Sequence, residues 1–98
     1  MTLENVVTPA YVVDKDKLTN NLKILKRVQD ETGAKILLAQ KAFSMYSLYP
    51  YIGEFLAGTA ASGIYEARLG YEEMKGKEVH VFSPAYGKEE MDELVTFC

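Results

Sequence analysis

The chain has 98 residues, 48% of them hydrophobic and 26% charged, which is the composition of an ordinary globular domain. Its 11 basic and 14 acidic residues leave a net charge of −3, and the scattered basic residues argue against a nucleic-acid or membrane-surface partner. No apolar run reaches the roughly 20 residues of a membrane span, and the N-terminus lacks a signal pattern. The single cysteine, Cys98, fits a reducing compartment, so we expect a cytoplasmic protein.

The first part of the chain predicts an extended segment followed by a helix. Residues 8–14, "TPAYVVD", read as a lead-in strand, and Asp16 reads as the cap of the helix that follows. One face of this helix carries apolar residues at steps of four, three and three: Leu18, Leu22, Leu25 and Val28. Gly33 is placed where glycine commonly ends a helix.

Three strand–helix units follow. The strands are predicted at "KILLAQK", "GTAAS" and "EVHVFS", and the consecutive apolar residues of the first indicate a strand covered on both faces. The helices are predicted in "SLYPYIGEFLA", with Ser47 as cap and Pro50 in the first turn, in "GIYEARLGYEEMK", ending near Gly76, and in "KEEMDELVTFC".

This alternation predicts an α/β fold with parallel strands and right-handed crossovers. The three strands end at Lys41, Ser62 and Ser83, each 21 residues after the previous one. Two architectures fit the pattern: an open doubly wound sheet, or the opening of an eight-stranded β/α barrel. In both, functional residues gather at the carboxyl ends of the strands, so these three residues are expected on one edge.

Two interpretations of Lys41 stay open on position alone. Its amine either reaches solvent from a strand end, or forms a Schiff base in a partly desolvated site. Ser62 is likewise either a helix cap with Glu66 reaching back, or one edge of a cofactor site. His80 is expected to be a hydrogen-bonded core residue, and without a second histidine or a cysteine pair no metal site is expected.

Four segments in order carry a family resemblance: "TPAYVVDKDKLTNNLKILK", "AKILLAQKAFSM", "GTAASGIYEARLGYEE" and "VHVFSPAY". From about Thr8 onward the chain resembles the N-terminal part of the carboxynorspermidine decarboxylases, which also act on carboxyspermidine. These are pyridoxal-phosphate enzymes with an alanine-racemase-like barrel. The resemblance therefore implies that residues 1–98 are the N-terminal portion of a (β/α)8 barrel domain.

The resemblance also implies roles for two residues. Lys41 falls where the family carries the cofactor aldehyde, so it is the expected catalytic and cofactor-binding residue; Ser62 is an expected cofactor contact. The ornithine and diaminopimelate decarboxylases usually follow that lysine with Ala-Asn or Cys-Asn, whereas this chain has "AFS". They also place an acid before the small residues that end the next strand, which residues 59–62, "TAAS", lack. Both departures favour carboxynorspermidine or carboxyspermidine as the substrate.

A full barrel takes about 250 residues, so we expect a fragment that has no decarboxylase activity by itself. The full-length protein is expected to be a homodimer that takes a carboxylated triamine. Three alternatives stay open: a non-catalytic carrier of pyridoxal phosphate, a related ornithine or diaminopimelate decarboxylase, and an interaction module that is complete in 98 residues.

Overall fold

One parallel sheet organises the chain. The computed structural model describes residues 2–98 and contains three strands: β1 (Leu37–Ala39), β2 (Gly58–Ala61) and β3 (Glu78–Val81). The strands lie in sequence order, with β2 between β1 and β3, and both pairs are parallel. A helix lies between each strand and the next, so the predicted strand–helix alternation is confirmed.

Four α-helices accompany the sheet: α1 (Lys15–Thr32), α2 (Tyr49–Ile52), α3 (Ile64–Glu73) and α4 (Lys88–Leu94). Short 3₁₀ turns span Leu3–Asn5 and Tyr46–Leu48, and the second leads directly into α2. Within residues 2–98 no helix combines the length and the apolar character that crossing a bilayer requires.

The start of α1 corrects the predicted cap. Asp14, whose backbone is extended, accepts a hydrogen bond from the Lys17 backbone N–H at 3.1 Å, whereas Asp16 already lies inside the first turn. A capping side chain must come from a non-helical residue to reach back over the exposed amides, which only Asp14 can do. The other end is as predicted, because Gly33 closes the helix with a φ of 75°.

Two other predictions are corrected in the connecting segments. Residues 8–14 are extended, but they pair with no strand in the part of the chain that is described. Ser47 lies inside the 3₁₀ turn and makes no capping hydrogen bond, while Pro50 does occupy the first turn of α2. The helix predicted there is consequently much shorter than its sequence pattern suggested.

The helices cover one face of the sheet. Side chains of successive strand residues point to opposite faces, so Leu38, Thr59 and Val79, which are paired across the sheet, share the helix side. A first core cluster on this side consists of Leu22, Tyr49, Ile52, Leu56 and Met74. A second consists of Ala61, Ala67, Val79 and Leu94.

The opposite face, called the open face below, carries Ala39, Ala60 and His80 in one row across the strands. Ala39 and His80 are exposed, and Phe82, two residues beyond His80, is 77% exposed. Within residues 2–98 the open face of β1 is uncovered at Ala39, so the predicted cover on both faces of the first strand is not present there. The prediction of a core histidine is wrong, because the two-residue period places His80 opposite its buried neighbour Val79.

Candidate active site at the carboxyl edge of the sheet

Lys41, Ser62 and Ser83 all lie at the carboxyl edge of the sheet, each one or two residues beyond the end of its strand. The ladders continue briefly past the strands: the Gln40 N–H donates to the Ala60 carbonyl at 3.1 Å, and the Phe82 N–H donates to the Ala61 carbonyl at 3.0 Å. Parallel strands with this register bring their carboxyl ends together, so the predicted common edge is confirmed.

Lys41 lies in a tight turn that leaves β1. The turn is closed by the backbone N–H groups of Ala42 and Phe43, which both donate to the Ala39 carbonyl, at 3.0 and 3.3 Å. Lys41 is exposed, and among residues 2–98 its amine has no ion-pair or hydrogen-bond partner. The edge therefore presents a primary amine that no structural interaction occupies.

Two buried polar side chains lie behind this turn. Gln40 points away from the open face and is fully buried, as is Tyr49 at the start of α2. The Gln40 Nε2 donates to the Tyr49 hydroxyl at 3.1 Å, and that hydroxyl donates to the Phe43 carbonyl at 3.4 Å. Tyr49 was expected to pack with its hydroxyl at the surface, which is wrong because the residue is fully buried, and no role was predicted for Gln40. A glutamine between Ala39 and Lys41 in an apolar strand was nevertheless a visible signal.

Ser62 and Gly63 form the junction between β2 and α3. Gly63 is the residue that caps the helix, and the exposed Ser62 donates its backbone N–H to the Glu66 Oε2 at 3.2 Å. The reach of Glu66 back to this junction was predicted and is confirmed. The capping role predicted for the Ser62 side chain is wrong, because the helix begins one residue later and Ser62 makes no capping hydrogen bond.

Charged groups line the open face toward the amino end of β3. The Glu78 carboxylate binds the Lys35 amine at 2.6 Å and contacts the His80 Nε2 at 3.2 Å. The hydrogen bond from Lys35, and after it the one from His80, holds the pKa of the Glu78 carboxyl below its usual value. These groups lie toward the opposite end of the strands from Lys41.

The end of the third strand contributes less to the candidate site than the ends of the first two strands. The Ser83 hydroxyl donates to the Ala85 carbonyl at 3.3 Å, which turns it toward its own loop. The Tyr86 side chain packs against the second core cluster, and burial raises the pKa of its hydroxyl. Within residues 2–98 no group of three or more histidine, cysteine and acidic side chains is arranged to hold a metal ion.

A recess of about 550 Å³ adjoins the turn that carries Lys41. It is lined by residues 11–13 of the N-terminal segment and residues 42–45 of the turn. The lining is largely apolar, and the lysine lies directly beside it in sequence. A flat organic group bound by the amine would therefore find apolar surface next to its point of attachment.

No family model matches the chain, but individual proteins are similar to it. The chain is 38% identical over 93 residues to a carboxynorspermidine/carboxyspermidine decarboxylase of Herminiimonas arsenicoxydans, a match that covers 95% of the chain and 25% of that protein. It is 36% identical over 93 residues to a carboxyaminopropylagmatine decarboxylase of a Synechocystis strain, covering 95% of the chain and 24% of that protein.

The fold matches as well. The crystal structure of carboxynorspermidine decarboxylase from Campylobacter jejuni, complexed with norspermidine, superposes with a TM-score of 0.89 at 39% identity, over 94% of this chain and 25% of that one. The three-stranded sheet is thus consistent with part of an α/β barrel. The chain spans about a quarter of the length of the relatives that it matches. Over that length, its resemblance to the carboxynorspermidine/carboxyspermidine decarboxylases is confirmed in both sequence and fold.

Proposed function

We propose that residues 1–98 are the N-terminal portion of a barrel domain in a pyridoxal-phosphate-dependent carboxy-lyase. The substrate would be carboxynorspermidine or carboxyspermidine, and the product norspermidine or spermidine. The observation that carries this proposal is the amine of Lys41 at the carboxyl edge of the sheet, which has no partner within residues 2–98, in a chain that is similar to such decarboxylases over 95% of its length.

The residues present fit this cofactor. Pyridoxal phosphate binds covalently to a primary amine through its aldehyde, and Lys41 supplies that amine on the edge where ligands bind in parallel α/β folds. Ala39 and Ala60, the neighbouring residues on the open face, have small side chains that leave room above the sheet. The apolar recess formed by residues 11–13 and 42–45 adds a surface against which an aromatic ring can pack.

In this site the cofactor supplies an electron sink for the negative charge left on carbon when carbon dioxide departs. Lys41 would hold the cofactor aldehyde through Nζ, and as a primary amine it could also hold a proton near the reacting carbon. Ser62, exposed at the start of α3, would contact one edge of the cofactor through its hydroxyl.

The preferred substrate is proposed from the relatives. A structural neighbour was solved with norspermidine, the product of carboxynorspermidine decarboxylation, whereas a relative of similar identity is a carboxyaminopropylagmatine decarboxylase. Residues 42–44 and 59–62 depart from the pattern of the ornithine and diaminopimelate enzymes, so those two substrates rank lower. We further propose that the full-length protein is a cytoplasmic homodimer.

Covalent labelling tests the role of Lys41. The full-length protein is incubated with pyridoxal phosphate and reduced with borohydride, and its peptides are mapped by mass. We expect a pyridoxyl group on the peptide that contains Lys41 and its loss in Lys41→Arg. Lys35→Arg is the matched control, because Lys35 lies before the same strand but is engaged by Glu78. An unlabelled Lys41 would overturn the proposal.

Release of carbon dioxide identifies the reaction. We expect turnover of carboxynorspermidine or carboxyspermidine, and little turnover of ornithine or diaminopimelate. Carboxyaminopropylagmatine is included because a relative acts on it. Labelling of Lys41 without release of carbon dioxide from any of these compounds would favour the non-catalytic alternative, a protein that only carries the cofactor.

A further inference from the structure

The turn that carries Lys41 is held from behind by one buried hydroxyl. The Tyr49 hydroxyl accepts a hydrogen bond from the Gln40 side chain at 3.1 Å and donates one to the Phe43 carbonyl at 3.4 Å. Gln40 and Phe43 are the residues on either side of Lys41 and Ala42. A single phenol oxygen therefore connects both ends of the turn, using its one donor and one of its acceptor sites.

Other contacts also hold the residues at the ends of this turn. The Gln40 carbonyl accepts a hydrogen bond from the Ser44 hydroxyl, and the Gln40 N–H is tied to β2 through the Ala60 carbonyl at 3.1 Å. Tyr49 belongs to the first core cluster, against which Phe43 also packs. Lys41 itself has no partner among residues 2–98, so the backbone of this turn is what determines where its side chain begins.

A contribution to stability does not explain why this buried position carries a glutamine. The Gln40 Oε1 is buried and has no hydrogen-bond partner among residues 2–98, which costs free energy because a buried polar atom has lost its hydration. An apolar side chain of similar size would fill the same space without that cost. A partly satisfied glutamine in a buried position next to the reactive amine indicates a role in geometry.

We propose that Tyr49 and Gln40 are positioning residues, which fix the turn of residues 40–44 so that the Lys41 amine projects from the open face toward the cofactor. This inference rests on the proposed function, because it concerns the same amine. It adds two residues that touch neither cofactor nor substrate and that act through the backbone on either side of the lysine.

The test compares two tyrosines of the same helix in the full-length protein. Tyr49→Phe keeps the ring and removes the hydroxyl that holds the turn. Tyr51→Phe is the matched control: it removes a hydroxyl that is bonded to the Thr19 hydroxyl at 2.6 Å, away from Lys41. The measured quantity is the rate at which the Lys41 peptide acquires a borohydride-trapped pyridoxyl group, followed across a pH series.

We expect Tyr49→Phe to lower this labelling rate about 2- to 10-fold, the effect of one lost hydrogen bond on the population of the correct turn. Tyr51→Phe should label like the wild type. Amide hydrogen exchange at residues 41–44 should become faster in Tyr49→Phe and not in Tyr51→Phe. Gln40→Met, which keeps the volume and removes the donor, should reproduce the Tyr49→Phe result without relying on the same side chain.

The outcomes separate this inference from the function on which it rests. Equal labelling and equal exchange in wild type, Tyr49→Phe and Tyr51→Phe would overturn the positioning role and leave the role of Lys41 intact. An equal fall in both tyrosine variants would also overturn it, because the effect would then be general destabilisation. No labelling of the wild type would overturn the proposed function and, with it, any catalytic purpose of the turn.

Discussion

The contact between α3 and β2 leaves no room for a side chain at Gly70. A Cβ built on Gly70 would lie 2.3 Å from the Thr59 Oγ1 and 3.1 Å from the Thr59 Cβ. Thr59 is fully buried and branched at Cβ, so its side-chain rotation is restricted. Gly70→Ala therefore forces the helix and the strand apart, by roughly an ångström if the helix alone moves.

Two opposing effects determine how much Gly70→Ala changes the free energy of unfolding. Alanine is more favourable than glycine inside a helix by about 1 kcal/mol, while forcing an extra methyl group into a packed contact costs about 1–3 kcal/mol. The net expectation is a loss of up to about 2 kcal/mol in the free energy of unfolding. This sign is opposite to the one that helix propensity alone predicts.

Urea unfolding followed by circular dichroism measures the effect, and a second substitution isolates its cause. Thr59→Ala removes the Oγ1 that a Cβ at Gly70 would approach most closely. The double variant should therefore be more stable than the sum of the single effects predicts, by about 1 kcal/mol. A Gly70→Ala protein that is more stable than the wild type by the full helix-propensity gain of about 1 kcal/mol, or strict additivity in the double variant, would refute the steric reasoning.

Two further predictions concern the core and the charges. Leu22→Ala should lower the free energy of unfolding by about 2–5 kcal/mol, because Leu22 is buried in the first core cluster. Leu25 lies on the same helix and is 36% exposed, so Leu25→Ala should lower the free energy of unfolding clearly less. Equal losses in the two variants would contradict the assigned core. In the folded protein, the hydrogen bond from Lys35 keeps the pKa of the Glu78 carboxyl below its ordinary value of 4.5. The ionised carboxylate therefore stabilises the fold above pH 4.5, and this contribution is lost as the pH falls through the lowered pKa. The urea midpoints of wild type and Glu78→Gln should therefore converge in acid, and a difference that stays constant with pH would exclude this linkage.

Local sequence patterns were enough to locate the elements and the common edge. Apolar runs and glycine positions predicted three strands and the helices between them, because periodicity and chain breaks are local properties. The alternation of strands and helices predicted parallel strands, and therefore that Lys41, Ser62 and Ser83 at their carboxyl ends share one edge. The resemblance to the decarboxylases was likewise readable from short segments in order, and the comparisons confirm it.

The boundaries of the helices and the pairing of the strands were harder to predict from the sequence. The cap of α1 fell two residues before the predicted one, at Asp14 instead of Asp16, since both are acidic and only the backbone conformation distinguishes them. Residues 8–14 have the composition of a strand but do not pair within residues 2–98, because a strand exists only where a neighbouring backbone accepts its hydrogen bonds.

The sequence by itself determined the α/β repeat and the place of Lys41 at the end of the first strand. Only the tertiary structure decided that Gln40 and Tyr49, which are nine residues apart, meet behind that lysine, and that His80 lies on the open face. The contact of Gln40 with Tyr49 and the exposure of His80 both depend on which face of the sheet the helices cover. Which face is covered is determined when the helices pack on the sheet, because the burial of a residue depends on its neighbours in the fold and not on its own side chain.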